Sequence, residues 1–458
     1  MEKRGSNMKL KVVEVCKISP SKSITSQLSL NLSVFDWLYL TSPQNGRIFF
    51  YPLPLTNSFF HSILIPKLKH SLSLTLNHFL PLAGTLLWPH NSPLPFILYA
   101  PNDAVSFVVA ETDSDFDRVS GSHARMLKDY SPSSLVPKII PSSETAVPLM
   151  AVQVTKFPKN GFSIGLATHR VVFDGKSSNI FLKSWAHICK MINMGATQFC
   201  LQPEFSPSFE RGANLLLQNP FGPKNRTLKL SSPRSPPPSN WLRGTFHLTP
   251  TNIQTLEKRV SQWMEKTSSQ QFYLSKFVVV YAYVSVCLIK AKQEECSEKI
   301  YMSFHADARW LLDPPVSSNY IGNCVTYPAV LVEAREFRED DGLPNIAKKI
   351  SNLIVELRRS RAINVCDHNY EPFSSSNSSN DLLGGVEVCF NVDSPKSRFY
   401  ETDFGWGRPN KIDVVLEECN SFSLLDSRDH GGGGVEVGLL LPTHQFHIFA
   451  SLFSKALN

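Results

Sequence analysis

The chain has 458 residues, 42% of them hydrophobic, with 30 Phe, 12 Tyr and 7 Trp. That is ample apolar material for the cores of two or three domains, and it excludes wholesale disorder. Lys plus Arg is 46 against 39 Asp plus Glu, a net charge of +7, which suits anionic small molecules and is too dilute for nucleic acid.

Residues 1–7 read as a loose leader and 9–15 (KLKVVEV) as a first strand. Over 66–79, Pro66 suits a first helical turn, and Leu68, Leu72, Leu76 and Phe79 fall at helical spacing. Pro81 bounds that helix. Residues 95–112 read as two strands about Pro101-Asn102-Asp103, and 147–156 with 161–168 as a hairpin turned at Pro158-Lys159-Asn160. A helix over 179–191 places Ile180, Trp185, Ile188 and Met191 on an apolar face.

Residues 202–240 are proline-rich and read as a crossover between an N-terminal domain, 1–201, and a C-terminal domain, 241–458. Thr249 and Pro250 open a polar helix over 250–266. Residues 275–291 form an apolar helix. The stretch 366–380 ends in SSSNSSN and reads as a surface loop, and the glycines at 431–434 turn the chain into a strand, VEVGLLL. Strands and helices interleave without an internal repeat, which argues for a mixed α/β protein.

The nine cysteines, at 16, 189, 200, 287, 296, 324, 366, 389 and 419, are odd in number and widely spaced, with no C-x-x-C. Neither a disulfide framework nor a zinc site is expected, and a reducing compartment fits better. The N-terminus has no apolar run of signal-peptide length, and the longest apolar run, 277–289, is too short to span a bilayer. A cytoplasmic protein without membrane partners is the expectation.

Four motifs bear on chemistry. Gly161-Phe162-Ser163-Ile164-Gly165 matches G-x-S-x-G, but the residues after it continue a strand where a nucleophile elbow needs a helix, so a serine hydrolase using Ser163 is a remote reading. Thr168-His169-Arg170-Val171-Val172-Phe173-Asp174-Gly175 ends a strand in polar residues, and Lys176-Ser177-Ser178 open a helix. A histidine at such a strand end is placed for proton transfer or is satisfied in a core. Around Asp403-Phe404-Gly405-Trp406-Gly407, the glycines allow close backbone approach and Asp403 can hold Arg408 or another cation. Tyr320-Ile321-Gly322-Asn323-Cys324 reads as a loop entering a buried strand, with Cys324 a core residue before it is a nucleophile.

Together the last three stretches resemble the BAHD family of plant acyl-CoA-dependent acyltransferases, marked by HxxxD and DFGWG motifs. The likeness covers nearly the whole chain and points to the clade that malonylates or aromatically acylates flavonoid, anthocyanin and phenolic glucosides. That clade adds a YFGNC-type motif, here with Ile321 in place of Phe.

The resemblance implies a two-domain fold like that of chloramphenicol acetyltransferase, with a solvent channel between the domains and 365–400 exchanging back to the N-terminal domain. It implies an acyl-CoA co-substrate, a glycoside acceptor, no metal or prosthetic group, and a monomer. The motif histidine takes the acceptor's proton. Asp174 takes the motif aspartate's structural role, paired with Arg309, and residues 403–407 support the fold. Lys176, Ser177 and Ser178 either meet a phosphate or carboxylate at the helix start or merely cap it.

One departure stands out. Counting HxxxD back from Asp174 reaches Arg170, and the histidine present, His169, is one residue early. Arginine offers no acceptor nitrogen and stays protonated, so it cannot be a general base. Neighbouring side chains on a strand face opposite ways, so His169 is expected to point away from the place Arg170 occupies. Three readings follow: a working transferase in which His169 moves in or water is the base, a ligand-binding protein that has lost the chemistry, and the remote hydrolase.

Overall fold

The computed structural model describes residues 8–22, 25–158, 160–212, 215–216, 227–230, 237–267, 272–359, 387–391, 394–415, 421–429, 433–455 and 457. The loop expectation for 366–380 lies outside them, as do the first two of the four glycines at 431–434.

Local signals set the helices. Thr249 accepts from Asn252 N and Pro250 occupies the first turn, so the Pro250–Lys266 helix starts where its capping box is written. Ser275 caps Lys276–Lys292, which is apolar on every side and buried as the central helix of the C-terminal half. It packs against Pro250–Lys266, Gly342–Arg359 and Thr443–Lys455.

Two large sheets carry the two halves. The first runs Leu10–Ile18, Val105–Thr112, Met150–Phe157, Gly161–Thr168, Asn45–Pro52 and Lys411–Val414. The second runs Ala329–Glu333, Lys299–Phe304, Glu387–Asn391, Ser421–Asp426, Val435–Leu441, Leu242–Leu248 and Arg125–Met126. Each sheet has its own buried apolar cluster. A third, small cluster of Phe35, Leu215, Ala308, Leu311, Leu312, Tyr320 and Cys324 lies beneath the YIGNC stretch.

Each half lends the other a strand. Lys411–Val414 pairs antiparallel with Asn45–Pro52, and Arg125–Met126 pairs with Leu242–Leu248. Of the exchange segment expected at 365–400, residues 365–386 lie outside the described residues. Strand Glu387–Asn391 lies in the second sheet beside Lys299–Phe304, whereas Phe399 and Tyr400, followed by Phe404 and Ile412, bury in the first core.

The expected strand pair within 95–112 also divides. Phe96–Tyr99 joins a separate four-stranded sheet and Val105–Thr112 the six-stranded one. The strand expected over 147–156 breaks at Leu149 for the same reason: Ala146–Pro148 joins the small sheet and Met150–Phe157 the large one. The hairpin 150–168 forms in full register, Met150 opposite Thr168 and Phe157 opposite Gly161.

Candidate active site

The site is built where strand Gly161–Thr168 runs into helix Gly175–Asn193. Asp174 is the N-cap: its Oδ1 accepts from Ser177 N at 2.8 Å. Arg309 grips the same carboxylate, Nη1 to Oδ2 at 2.8 Å and Nη2 to Oδ1 at 3.1 Å, with both side chains buried. Cys324 N also donates to Asp174 Oδ2, at 3.1 Å. The ion pair joins residues 135 positions apart and ties the N-terminal half to the C-terminal half.

Arg309 also donates from Nη1 to Asp307 Oδ1 at 2.9 Å, and Lys176 Nζ lies 3.1 Å from Asp307 Oδ2. Burial works against the charge of Asp307, but Arg309 and Lys176 outweigh it and hold that carboxyl below the usual range. Ser177 is fully buried, donating to the carbonyls of Tyr320 and Gly322 and accepting from Arg309 Nη2.

Two readings stood for Lys176, Ser177 and Ser178, an anion site and a helix cap, and the cap is Asp174. The carboxylate of Asp174 already occupies the helix N-terminus, Ser177 is spent on protein partners, and Lys176 has Asp307. Ser178 donates its N–H to Asp174 O as part of the helix. Lys176 does help line a shallow cleft of about 240 Å³ with Asn179, Lys183 and Asn319.

His169 and Arg170 part company. His169 has no exposed surface; its N–H donates to Leu149 O at 2.8 Å, at the break in the neighbouring strand, and its Nδ1 accepts from Val171 N at 3.2 Å. Its Nε2 is buried without a hydrogen-bond partner. Burial pushes the imidazole down to about 4, so it is neutral at working pH. To act as the base, His169 would have to leave this buried position, which is the movement that the first reading requires.

Arg170 faces the other way and is half-buried. Its guanidinium lies 4.7 Å from the ring centre of Tyr39 and donates from Nη1 to Asn45 Oδ1 at 2.8 Å. Asn45 is within reach because the strand register sets it opposite Thr168. The backbone of Arg170 is pinned as well. Asn323 Nδ2 donates to the carbonyls of Arg170 and Val171, each at 2.9 Å, and to Asp36 Oδ1 at 3.1 Å. Asp36 is buried, accepts from Asn323 N at 2.8 Å and pairs with Arg211 Nη2 at 2.7 Å. Tyr39, Asn45, Asp36 and Arg211 have no sequence signal of their own. Asn323 sits in the YIGNC motif, and its three acceptors come from elsewhere in the chain.

Cys324 is fully buried, and burial pushes its thiol well above the ordinary range, so it is a core residue. Ser163 is in mid-strand, opposite Thr155 on one side and Phe50 on the other, with no exposed surface. No strand-to-helix turn presents it, so the hydrolase reading loses the geometry it needs.

The second motif loop closes on the far end of the same helix. Asp403 Oδ1 accepts from Gly405 N at 2.8 Å and Gly407 N at 3.0 Å, and its Oδ2 meets Lys190 Nζ at 2.7 Å. The cation it holds is Lys190, and Arg408 is exposed. Burial opposes the charge of Asp403, and Lys190 with the two glycine N–H groups holds its carboxyl below the usual range. Phe404 is buried edge-on to Trp185 at 4.8 Å, Asn193 Nδ2 donates to Phe404 O at 2.9 Å, and Trp406 packs edge-on to Phe162 at 6.3 Å. Loop 403–407 is thus a support for the helix, remote in contacts from Arg170.

Among the described residues there is no helix long and apolar enough to cross a membrane, and no group of three or more His, Cys, Asp or Glu that could hold a metal ion.

A sequence model of the Transferase family matches residues 8–456. The chain is 36% identical to phenolic glucoside malonyltransferase 1 of Arabidopsis thaliana, over 98% of each sequence. It is 34% identical to malonyl-CoA:anthocyanidin 5-O-glucoside-6''-O-malonyltransferase of the same organism, over 99% of each. The crystal structure of vinorine synthase has a similar fold, with a TM-score of 0.69 at 22% identity over 97% of this chain and 98% of that one.

Proposed function

The chain belongs to the BAHD family of acyltransferases, and on that premise we propose that it transfers a malonyl or hydroxycinnamoyl group from acyl-CoA to a hydroxyl of a flavonoid, anthocyanin or phenolic glucoside. In this reading the acceptor oxygen bonds to the thioester carbonyl carbon, the C–S bond breaks, and the hydroxyl proton ends on the CoA sulfur. The protein works in the cytoplasm as a monomer. Acyl-CoA enters a solvent channel between the two halves as co-substrate, with no resident cofactor.

The observation that carries this reading is the helix held at both ends, by Arg309 on Asp174 and by Asp403 on Lys190, in a chain similar along its whole length to malonyltransferases. With Arg170 at the motif position and His169 buried, proton removal falls to water or to the leaving thiolate. A missing positioned base costs a factor on the order of 10²–10⁴, so turnover is slow. The same two residues favour a second reading, a protein that binds acyl-CoA and glucoside without appreciable turnover.

The test is CoA release from malonyl-CoA with a panel of flavonoid and phenolic glucosides, for the native protein and Arg170→His. Slow native turnover, raised in Arg170→His by a factor on the order of 10²–10⁴, supports the transferase reading. Turnover in Arg170→His alone supports the second. No CoA release from either protein, with no binding of malonyl-CoA, overturns both.

A further inference from the structure

Three guanidinium groups lie over tyrosine faces around the HxxxD-like stretch. Arg211 and Arg309 stand 5.4 and 5.6 Å from the ring centre of Tyr320, and Arg170 stands 4.7 Å from that of Tyr39. Two of the three are neutralised: Arg211 by Asp36 at 2.7 Å and Arg309 by Asp174 at 2.8 Å. Arg170 has no carboxylate within 4.0 Å among the described residues, and its one side-chain hydrogen bond goes to the neutral amide of Asn45.

That arrangement suits the guanidinium of Arg170 to receive an anion. The ring of Tyr39 and the amide oxygen of Asn45 fix the plane of the guanidinium. Asn323, itself tied to buried Asp36, fixes the backbone beneath it. Only one donor of the fork is used, which leaves Nη2 and Nε without a protein partner among the described residues. A planar fork with two adjacent donors matches a carboxylate in two parallel hydrogen bonds. A cation half removed from water and lacking a counter-charge gains most from an arriving anion.

We propose that Arg170 is a carboxylate clamp that selects a carboxylate-bearing reactant. The inference rests on the transferase reading, which puts residue 170 where acceptor and thioester meet, at the end of CoA remote from its phosphates. The carboxylate then belongs either to a dicarboxylic acyl group such as malonyl or to an acidic acceptor such as a glucosylated phenolic acid. In both cases Arg170 is a specificity-determining residue: it binds the reactant and moves no proton.

Calorimetry on the native protein, Arg170→Gln and Arg170→Lys tests the clamp, with thermal melting to confirm that each variant folds. In the donor arm, CoA, acetyl-CoA and malonyl-CoA are compared, because acetyl and malonyl differ only by the carboxylate. In the acceptor arm, a glucosylated phenolic acid is compared with its methyl ester. The expected result is that one arm shows a preference for the carboxylate of about ten- to a hundredfold in the native protein. That preference disappears in Arg170→Gln and survives in part in Arg170→Lys, and the affinity for the uncharged member of the pair stays unchanged. A donor-arm preference assigns the carboxylate to the acyl group, and an acceptor-arm preference assigns it to the acceptor. No preference in either arm, or one that persists in Arg170→Gln, overturns the clamp. The binding of CoA itself reads the transferase premise separately: if CoA binds and no carboxylate preference appears, only the clamp fails; if CoA does not bind, the premise fails and the acceptor arm still decides the clamp.

Discussion

Asn323 holds the carbonyl of Arg170 from 153 residues away, Nδ2 to O at 2.9 Å, and with the same amide group it holds the carbonyl of Val171 and the carboxylate of Asp36. One buried side chain therefore sets the backbone on which the motif arginine stands. Asn323→Ala leaves two carbonyls without this donor, the one on Val171 buried and the one on Arg170 partly so, and an unpaired buried polar group costs about 1–3 kcal/mol. We expect a loss of roughly 2–4 kcal/mol in denaturant unfolding, together with a weaker carboxylate preference at Arg170. An unchanged unfolding midpoint would show that other donors take over these carbonyls.

The Asp174–Arg309 pair makes the second prediction. Both side chains are buried, so removing one leaves the other charged and uncompensated. Arg309→Met should cost about 3–5 kcal/mol. Adding Asp174→Asn to it should recover part of that loss, because an amide needs no counter-charge and still caps the helix. The coupling measured by the double-mutant cycle would be near zero if the pair were only incidental to stability.

His169 gives a pH dependence with a definite sign. Its ordinary value is 6.5 and burial lowers it to about 4 in the folded chain. Above pH 6.5 the imidazole is neutral in both states and the burial carries no penalty. As pH falls from 6.5 towards 4, the unfolded chain takes a proton that the folded chain refuses, so stability is lost over that window. The loss from this residue is about 3 kcal/mol. His169→Asn keeps an acceptor where Nδ1 meets Val171 N and removes the titration. Unfolding free energies of the two proteins should therefore differ most at pH 4 relative to pH 7. If the two curves run parallel from pH 7 to 4, His169 is not buried neutral.

The two glycines of the 403–407 loop should behave differently under the same substitution. Both have positive φ, +98° at Gly405 and +96° at Gly407. An added Cβ at Gly405 would lie 2.4 Å from Asn193 Nδ2, the group that donates to Phe404 O, whereas nothing lies within 4 Å of one at Gly407. Gly407→Ala should cost only the backbone strain, about 1–2 kcal/mol. Gly405→Ala should cost about 1–3 kcal/mol more, because the clash displaces a hydrogen bond at the helix end. Equal melting temperatures for the two variants would remove the assigned role of Asn193.

Information that acts within a turn or two was legible in the sequence. Thr249 and Pro250 wrote the start of a helix, and the turn residues at 158–160 set off 161–168 as a strand. The motif spacing pointed to the family. Above all, the identity of residue 170 fixed its chemistry whatever the fold, because a guanidinium has no acceptor nitrogen in any environment. The separation of His169 from Arg170 was expected from strand alternation, but the strand ends at Thr168, and it is the turn that follows which places the two residues.

Only the tertiary structure decided which distant residues meet. Asp403 pairs with Lys190, 213 residues away, and not with Arg408, five residues away. Ser177 turned from a possible ligand of an anion into a partner of Arg309 and Tyr320. Strand Lys411–Val414 joins the first sheet beside Asn45–Pro52, because a strand joins whichever sheet edge buries its apolar face, and that edge is built by residues hundreds of positions earlier. The fate of His169 was settled the same way, by a break at Leu149 that lets its backbone dock and closes its ring into the core. Local propensity and capping are short-ranged, whereas charge pairing and burial depend on which chain segments come together, and no single stretch of sequence carries that information.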